Sequence, residues 1–132
     1  MKICIHELTK SNLSVSIERV LETIDYLKSN LCSDTLRFNI KLALWEIFTN
    51  YIVHGNEHSC REIVVLKLEN DREIEITIIS EGSDFDSEHL IGDLCPSVEQ
   101  IGGRGLYIVQ QICDMFLVEQ RGKIAKMVFK KD

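Results

Sequence analysis

Apolar residues recur in this chain at two periods, and the switches between them divide it into elements. Ile3 to Leu8 alternates, with Ile3 and Ile5 set against Cys4 and His6, and reads as a first strand. Ser11-Asn12 supplies N-cap chemistry for a helix over Leu13 to Leu31. Its core stripe is Ile17, Val20, Leu21, Ile24, Leu27 and Leu31, which leaves Glu18, Arg19, Glu22 and Lys28 facing outward. Ser33-Asp34 caps a long second helix that ends at Gly55. Within it Leu44, Ile47, Phe48, Tyr51 and Ile52 repeat at helical spacing and predict a buried stripe. Two strands follow, Glu62 to Leu68 and Glu73 to Ile79, joined by the turn Glu69-Asn70-Asp71-Arg72. Val64, Leu66 and Leu68 are expected to share the helix-facing side with Ile74, Ile76 and Ile78. Ser80 to Ile101 has no steady period and holds the only proline, Pro96. A connector of that length in a short chain is usually functional. A third helix runs through Leu106, Ile108, Val109, Ile112 and Cys113. Closing strands, about Phe116 to Gln120 and Ile124 to Lys130, flank Arg121-Gly122-Lys123.

The order β-α-α-β-β-loop-α-β-β predicts an α/β two-layer sandwich: a mixed, mostly antiparallel sheet with helices on one face. There are no internal repeats or linkers, so residues 1–132 read as a single domain. Composition adds mainly exclusions. The formal charge is −6 and the only basic cluster is the short Lys130-Lys131 end, which argues against nucleic-acid or anionic-membrane binding. No apolar run approaches membrane-spanning length, and MKICIHELTK lacks the apolar core of a signal peptide, so a cytoplasmic location is expected. The five cysteines are scattered without a C-x-x-C pair and read as reduced, small hydrophobes.

Chemistry gathers on the second helix. Glu46, Asn50 and His54 follow one another at four-residue steps and lie near one helix face. On its own, such a pair of carboxylate and carboxamide fits a solvated polar strip. Two further segments change that reading: a glycine turn at Glu81-Gly82 after a strand, and Gly102-Gly103-Arg104-Gly105 opening an apolar helix. Together the three offer a metal ligand, a base and backbone donors for phosphate, the outline of a nucleotide site. Cys4 with His6, and His54 with His58 and Cys60, lack any metal-ligand spacing and read as structural. Trp45 and Tyr51 read as core or interface positions.

With these residues in view, the chain resembles the GHKL (Bergerat-fold) ATPase superfamily, and within it the small anti-sigma-factor serine/threonine kinases. Glu46 to Asn50 followed by His54-Gly55-Asn56 is similar to the family's N box, E-x-x-x-N-x-x-x-H-G. Ser80-Glu81-Gly82-Ser83-Asp84-Phe85-Asp86 stands where the G1 box belongs, and Gly102-Gly103-Arg104-Gly105-Leu106 matches the G2 pattern G-G-x-G-L. Asp114 falls where the following helix often ends.

The resemblance implies a fold, a reaction and its participants. Glu46 would be the general base, and Asn50 the ligand of a Mg²⁺ ion on the phosphates of ATP. Mg²⁺ accepts few protein ligands because phosphates and waters fill its shell. Cofactor contacts would come from Asn50, His54, Ser80, Gly82, Gly102, Gly103, Arg104, Gly105 and Leu106, with an ATP lid over about 82–102. Arg104 reads equally as a phosphate contact or a solvent-facing arginine. Arg19 reads equally as a partner-facing group or an exposed helix arginine. The implied partners are a sigma factor and a small antagonist protein that receives the phosphate, with a homodimer possible. The implied setting is transcription regulation.

The sequence departs from this family at Ser80, where the G1 aspartate normally accepts a hydrogen bond from the adenine amino group. A hydrogen bond to a charged group contributes on the order of 1.5–3 kcal/mol, so nucleotide affinity is expected to fall by about ten- to a hundredfold. Ala125 stands near the last strand where threonine is frequent. Two other readings are therefore carried forward. One is a nucleotide-weak, partner-switching binding module. The other is the detached ATPase domain of a sensor histidine kinase, which the short lid and the first-helix segment disfavour.

Overall fold

Among the described residues, five strands form one sheet, in the spatial order β1 (Lys2–Ile5), β4 (Ile63–Glu69), β5 (Glu73–Ser80), β7 (Ile124–Lys130) and β6 (Met115–Glu119). The computed structural model describes residues 2–27, 33–54, 59–60, 63–80, 101–120 and 123–131. A second, two-stranded pairing joins β2 (Leu8–Thr9) to β3 (Ser59–Cys60). The described helices are α1 (Leu13–Leu27), α2 (Asp34–His54) and α3 (Ile101–Ile112). Every pairing among the described strands is antiparallel. This is the α/β sandwich that the element order predicts, with helices and sheet sharing one core.

Local chemistry sets the boundaries. Asn12 caps α1: its carbonyl accepts from Ser16 N (2.9 Å), while its side chain accepts from Thr9 N (2.8 Å) and donates to the Glu7 carbonyl (2.8 Å). The first strand accordingly stops at Ile5, and Leu8 belongs to β2 rather than to a strand running through from Ile3. Ser33 caps α2 by accepting from Leu36 N at 3.0 Å. In the β4–β5 turn Asn70 Oδ1 accepts from Arg72 N (2.7 Å) and Glu73 N (2.9 Å). Asp114 pins the end of α3 to β7, its Oδ2 accepting from Lys130 N (2.6 Å) and its N–H donating to the Val128 carbonyl (2.9 Å).

The core stripe of α1 is buried at Ile17, Val20, Leu21 and Ile24. The side chain of Leu27, together with Lys28, Leu31 and Gly55, lies outside the described residues. Leu44, Ile47, Phe48, Tyr51 and Ile52 of α2 are all buried, as their spacing predicts. Ile74, Ile76 and Ile78 of β5 also face the helices.

On β4 the expected phase is wrong by one residue. Ile63, Val65 and Lys67 point to the helices, whereas Val64 and Leu66 are only partly covered and Leu68 is exposed. The cause is Lys67. Its Nζ binds Glu69 Oε1 at 3.0 Å, and Lys131 Nζ binds Glu69 Oε2 at 2.5 Å, all three side chains being almost enclosed. Pairing with the Glu69 carboxylate lets a lysine take an inward position that an apolar count assigns to its neighbours.

Candidate functional site

α2 and α3 meet where two of the three motifs predict chemistry. A Cβ added to Gly105 would lie 3.3 Å from Glu46 Cδ and 3.4 Å from Asn50 Nδ2, and it would overlap the Glu46 carboxylate oxygen Oε2. Only a residue without a side chain lets α3 approach the carboxylate so closely. Glu46, Asn50 and Gly105 thus form one cluster built from both helices.

Asn50 is 7% exposed, and its Nδ2 donates to the Glu46 carbonyl one turn back at 2.8 Å. That bond ties the carboxamide nitrogen to the helix backbone and leaves the oxygen as the group's acceptor. A lone hard oxygen beside a carboxylate suits a magnesium ion whose remaining ligands are phosphates and water. Glu46 is partly buried, and loss of solvent pushes its carboxyl above the usual carboxylate range. A carboxyl raised in this way is better matched to proton transfer near neutral pH than a free glutamate.

The other predicted residues distribute as follows. Leu106, next to Gly105, is buried in the core at 2% exposure and anchors α3 behind the cluster. Gly102 and Gly103 belong to the first turn of α3, which begins at Ile101; the glycines therefore lie within the helix rather than ahead of it. The side chains of Arg104 and His54, and the whole of Gly82 and of the segment 81–100, lie outside the described residues. Ser80 is the last residue of β5, 2% exposed, and its N–H donates to the Lys123 carbonyl at 2.7 Å. It faces the helices alongside Ile78, whose partner on β7 is the buried Ala125. The two departures from the family pattern are therefore neighbours on one sheet face. Arg19 is exposed on α1, and its Nη1 donates to the Cys4 carbonyl of the edge strand β1 at 3.3 Å.

Sequence reasoning assigned Gly105 to phosphate and did not foresee its contact with Glu46. Nothing in the spacing could signal it, because the two residues meet only through the packing of α2 on α3. Trp45, expected in a core or an interface, is 41% exposed and lines a surface groove. Among the described residues no group of three His, Cys, Asp or Glu side chains could hold a metal ion, and no helix is long and apolar enough to cross a membrane.

Comparison with known proteins identifies the family. The chain is 26% identical over 129 residues to an anti-sigma F factor of Clostridium acetobutylicum, covering 94% of this chain and 80% of that protein. The similarity falls in the branch to which the three motifs point. A family model described as histidine kinase-like ATPase domain matches residues 9–129, which takes in α1, α2, α3 and four of the five sheet strands, β1 lying before it. The chain belongs to the histidine kinase-like ATPase domain family, within the GHKL superfamily.

Proposed function

We propose that this protein is an ATP-dependent serine/threonine kinase of the anti-sigma type, which phosphorylates a small antagonist protein and sequesters a sigma factor. The observation that carries this reading is the cluster of Glu46, Asn50 and Gly105, a partly buried carboxylate beside a carboxamide tied to the backbone through its nitrogen, at the start of a glycine-rich helix. The similarity to an anti-sigma F factor supports the choice of partner.

In the transfer, the acceptor hydroxyl oxygen forms a bond to the γ-phosphorus of ATP as the bond from that phosphorus to the bridging oxygen breaks. ADP leaves with the electron pair, and the hydroxyl proton passes to Glu46. Phosphoryl transfer asks the protein chiefly for positioning and charge stabilisation, so one well-placed carboxylate suffices. Asn50 Oδ1 would hold Mg²⁺, which when bound neutralises charge on the phosphates. The N–H groups at the start of α3 would orient the phosphates. Gly105 keeps the Glu46 carboxylate in place.

The reading is tested by calorimetric titration with ATP and ADP, with and without magnesium, followed by acceptor phosphorylation with the Glu46→Gln protein. Magnesium-dependent binding and a loss of transfer in that variant are expected. A variant that transfers phosphate at the unmodified rate removes Glu46 from the mechanism. Ser80 favours a second reading, a partner-switching module without catalysis, because a buried hydroxyl stands where the family has a carboxylate. Absence of binding at millimolar nucleotide would decide for that reading.

A further inference from the structure

The described helices share one core with the inward face of the sheet, and the strand residues that alternate with that core form the sheet's other face. An antiparallel sheet with one face in water normally alternates apolar inward with polar outward. Here the outward set is largely apolar as well: Val64, Leu66 and Leu68 on β4, Ile79 on β5, and Met115 and Leu117 on β6. Leu68, Met115 and Leu117 are exposed at 67%, 52% and 45%. The register draws the outward residues into rows. Val64 stands beside Ile79 and Ile79 beside Ile124, while one row further on Leu68 leads through Glu75 and Val128 to Met115. An apolar patch continuous across four strands marks an interaction surface, which scattered surface residues do not.

Area and charge define the occupant. Five strands about 4.8 Å apart, averaging about six residues of about 3.3 Å each, make a face of roughly 500 Å² in plan. Two such faces reach the roughly 1,000 Å² that a specific interface needs, before the relief of the side chains is added. Charge on this face is balanced, with Lys2, Lys126 and Lys130 against Glu73, Glu75 and Glu119. Lys126 Nζ and Glu75 Oε1 pair at 3.3 Å in its middle, and Glu73 stands opposite Lys130. A chain of formal charge −6 thus presents a neutral surface here, on which two copies meet without an excess of like charge. The face is also self-complementary, as a two-fold contact requires. An axis crossing the strands between the Leu66 and Leu68 rows sets Leu66 on Leu68 and Leu117 on Met115 of the other copy, in both directions.

We propose that the outer face of the sheet binds a second copy of this chain, sheet against sheet across a two-fold axis. Stacked sheets lie about 10 Å apart, a gap that facing apolar side chains fill. The cluster of Glu46, Asn50 and Gly105 belongs to the helix side and faces away from this contact. The inference therefore stands on the fold and not on phosphoryl transfer.

Sedimentation equilibrium over a range of protein concentrations tests this. The unmodified chain should show a reversible monomer–dimer equilibrium. Leu68→Asp and Leu117→Asp alter exposed positions on separate strands, so each should fold, as urea denaturation checks. Each should raise the dimer dissociation constant by at least about tenfold, because the substituted residue enters a two-fold contact twice. Phe38→Asp alters an exposed residue of α2, on the helix side, and should leave the dimer intact. A chain that stays monomeric from micromolar to millimolar concentration overturns the proposal, and so does a dimer that tolerates both leucine substitutions. Dissociation by Phe38→Asp in their place would assign the contact to the helix side and overturn it equally. ATP titration of the Leu117→Asp protein reads the nucleotide site separately. Its failure would count against the kinase reading and leave the assignment of this contact unaffected.

Discussion

Substituting Gly105 by alanine separates two roles that a glycine at this position can have. The new Cβ would stand 3.3 Å from Glu46 Cδ and 3.4 Å from Asn50 Nδ2 and would overlap Oε2. The group that must yield is the end of a flexible, partly exposed side chain, so Glu46 can swing away at little cost in stability. Gly105 is not among the positive-φ positions, and alanine is favoured over glycine in a helix interior by up to about 1 kcal/mol. The folded state should therefore be as stable as before, or slightly more so. The reaction should suffer. A displacement of about 1 Å from productive geometry can cost on the order of a hundredfold in rate, or roughly 2.7 kcal/mol of transition-state stabilisation. The backbone N–H is retained in alanine, so phosphate contacts made through it persist. The expected result is a urea midpoint equal to or above that of the unmodified protein, unchanged calorimetric affinity for ATP, and about a hundredfold loss in single-turnover phosphate transfer. Unimpaired transfer would refute the argument. A fall in ATP affinity with the transfer rate intact would refute it differently, by showing that Gly105 serves the phosphates and not Glu46.

Burial raises the Glu46 carboxyl, so its ionisation costs stability. As pH rises through the window between its ordinary and raised values, the folded state holds the proton that the unfolded state has released, and stability declines. Glu46→Gln should abolish that decline in urea denaturation followed against pH. In the unmodified protein the acidic limb of the rate profile should lie above the ordinary carboxylate range, and whatever transfer remains in the variant should lack that limb. Burial also acts to raise Glu69, but hydrogen bonds from Lys131 and Lys67 outweigh it and hold the carboxyl low. Its contribution is complete above the unfolded value and fades as pH falls through the lowered one. Glu69→Gln, which leaves two enclosed lysines without their shared carboxylate, should cost about 3–5 kcal/mol in urea denaturation at neutral pH. Ser80→Asp should tighten ATP by at least about tenfold in calorimetry while lowering the melting temperature of the nucleotide-free protein, since it buries a charge at a position 2% exposed. Unchanged affinity would mean that Ser80 does not face the base.

Most of the fold was legible because its signals are local. The caps at Asn12 and Ser33, the Asn70 turn and the inward run Ile74, Ile76, Ile78 each depend on neighbours within a few residues. Where the sequence misled, the cause was long-range. The phase of β4 follows from a charge cluster completed by Lys131 at the far end of the chain. Lys67 and Glu69 stand two residues apart on one strand face, but the second lysine that encloses their carboxylate comes from the far end of the chain, and an apolar count alone makes the other face look like the core. Edge strand β6 was legible for the opposite reason. Phe116 and Val118 pack inward while Met115 and Leu117 remain exposed, and the alternation survives although both faces are apolar.

The candidate site divides along the same line. Glu46 and Asn50 are related by one helical turn, so their shared face can be read directly from the sequence. Gly105 can be recognised as a glycine in a motif, but the reason for it resides in another helix. A motif reports which residue types a position tolerates, whereas the cause of that tolerance is a contact. Here the contact assigns the three glycines different work. Gly102 and Gly103 fall in the first turn of α3, where N–H groups have no partner within the helix and are available to an anion. Gly105 lies deeper, where its N–H can reach back to the Ile101 carbonyl, and its lack of a side chain admits Glu46. Substitutions in the first pair should therefore act mainly on nucleotide affinity and those at Gly105 mainly on turnover, although all belong to one short glycine run.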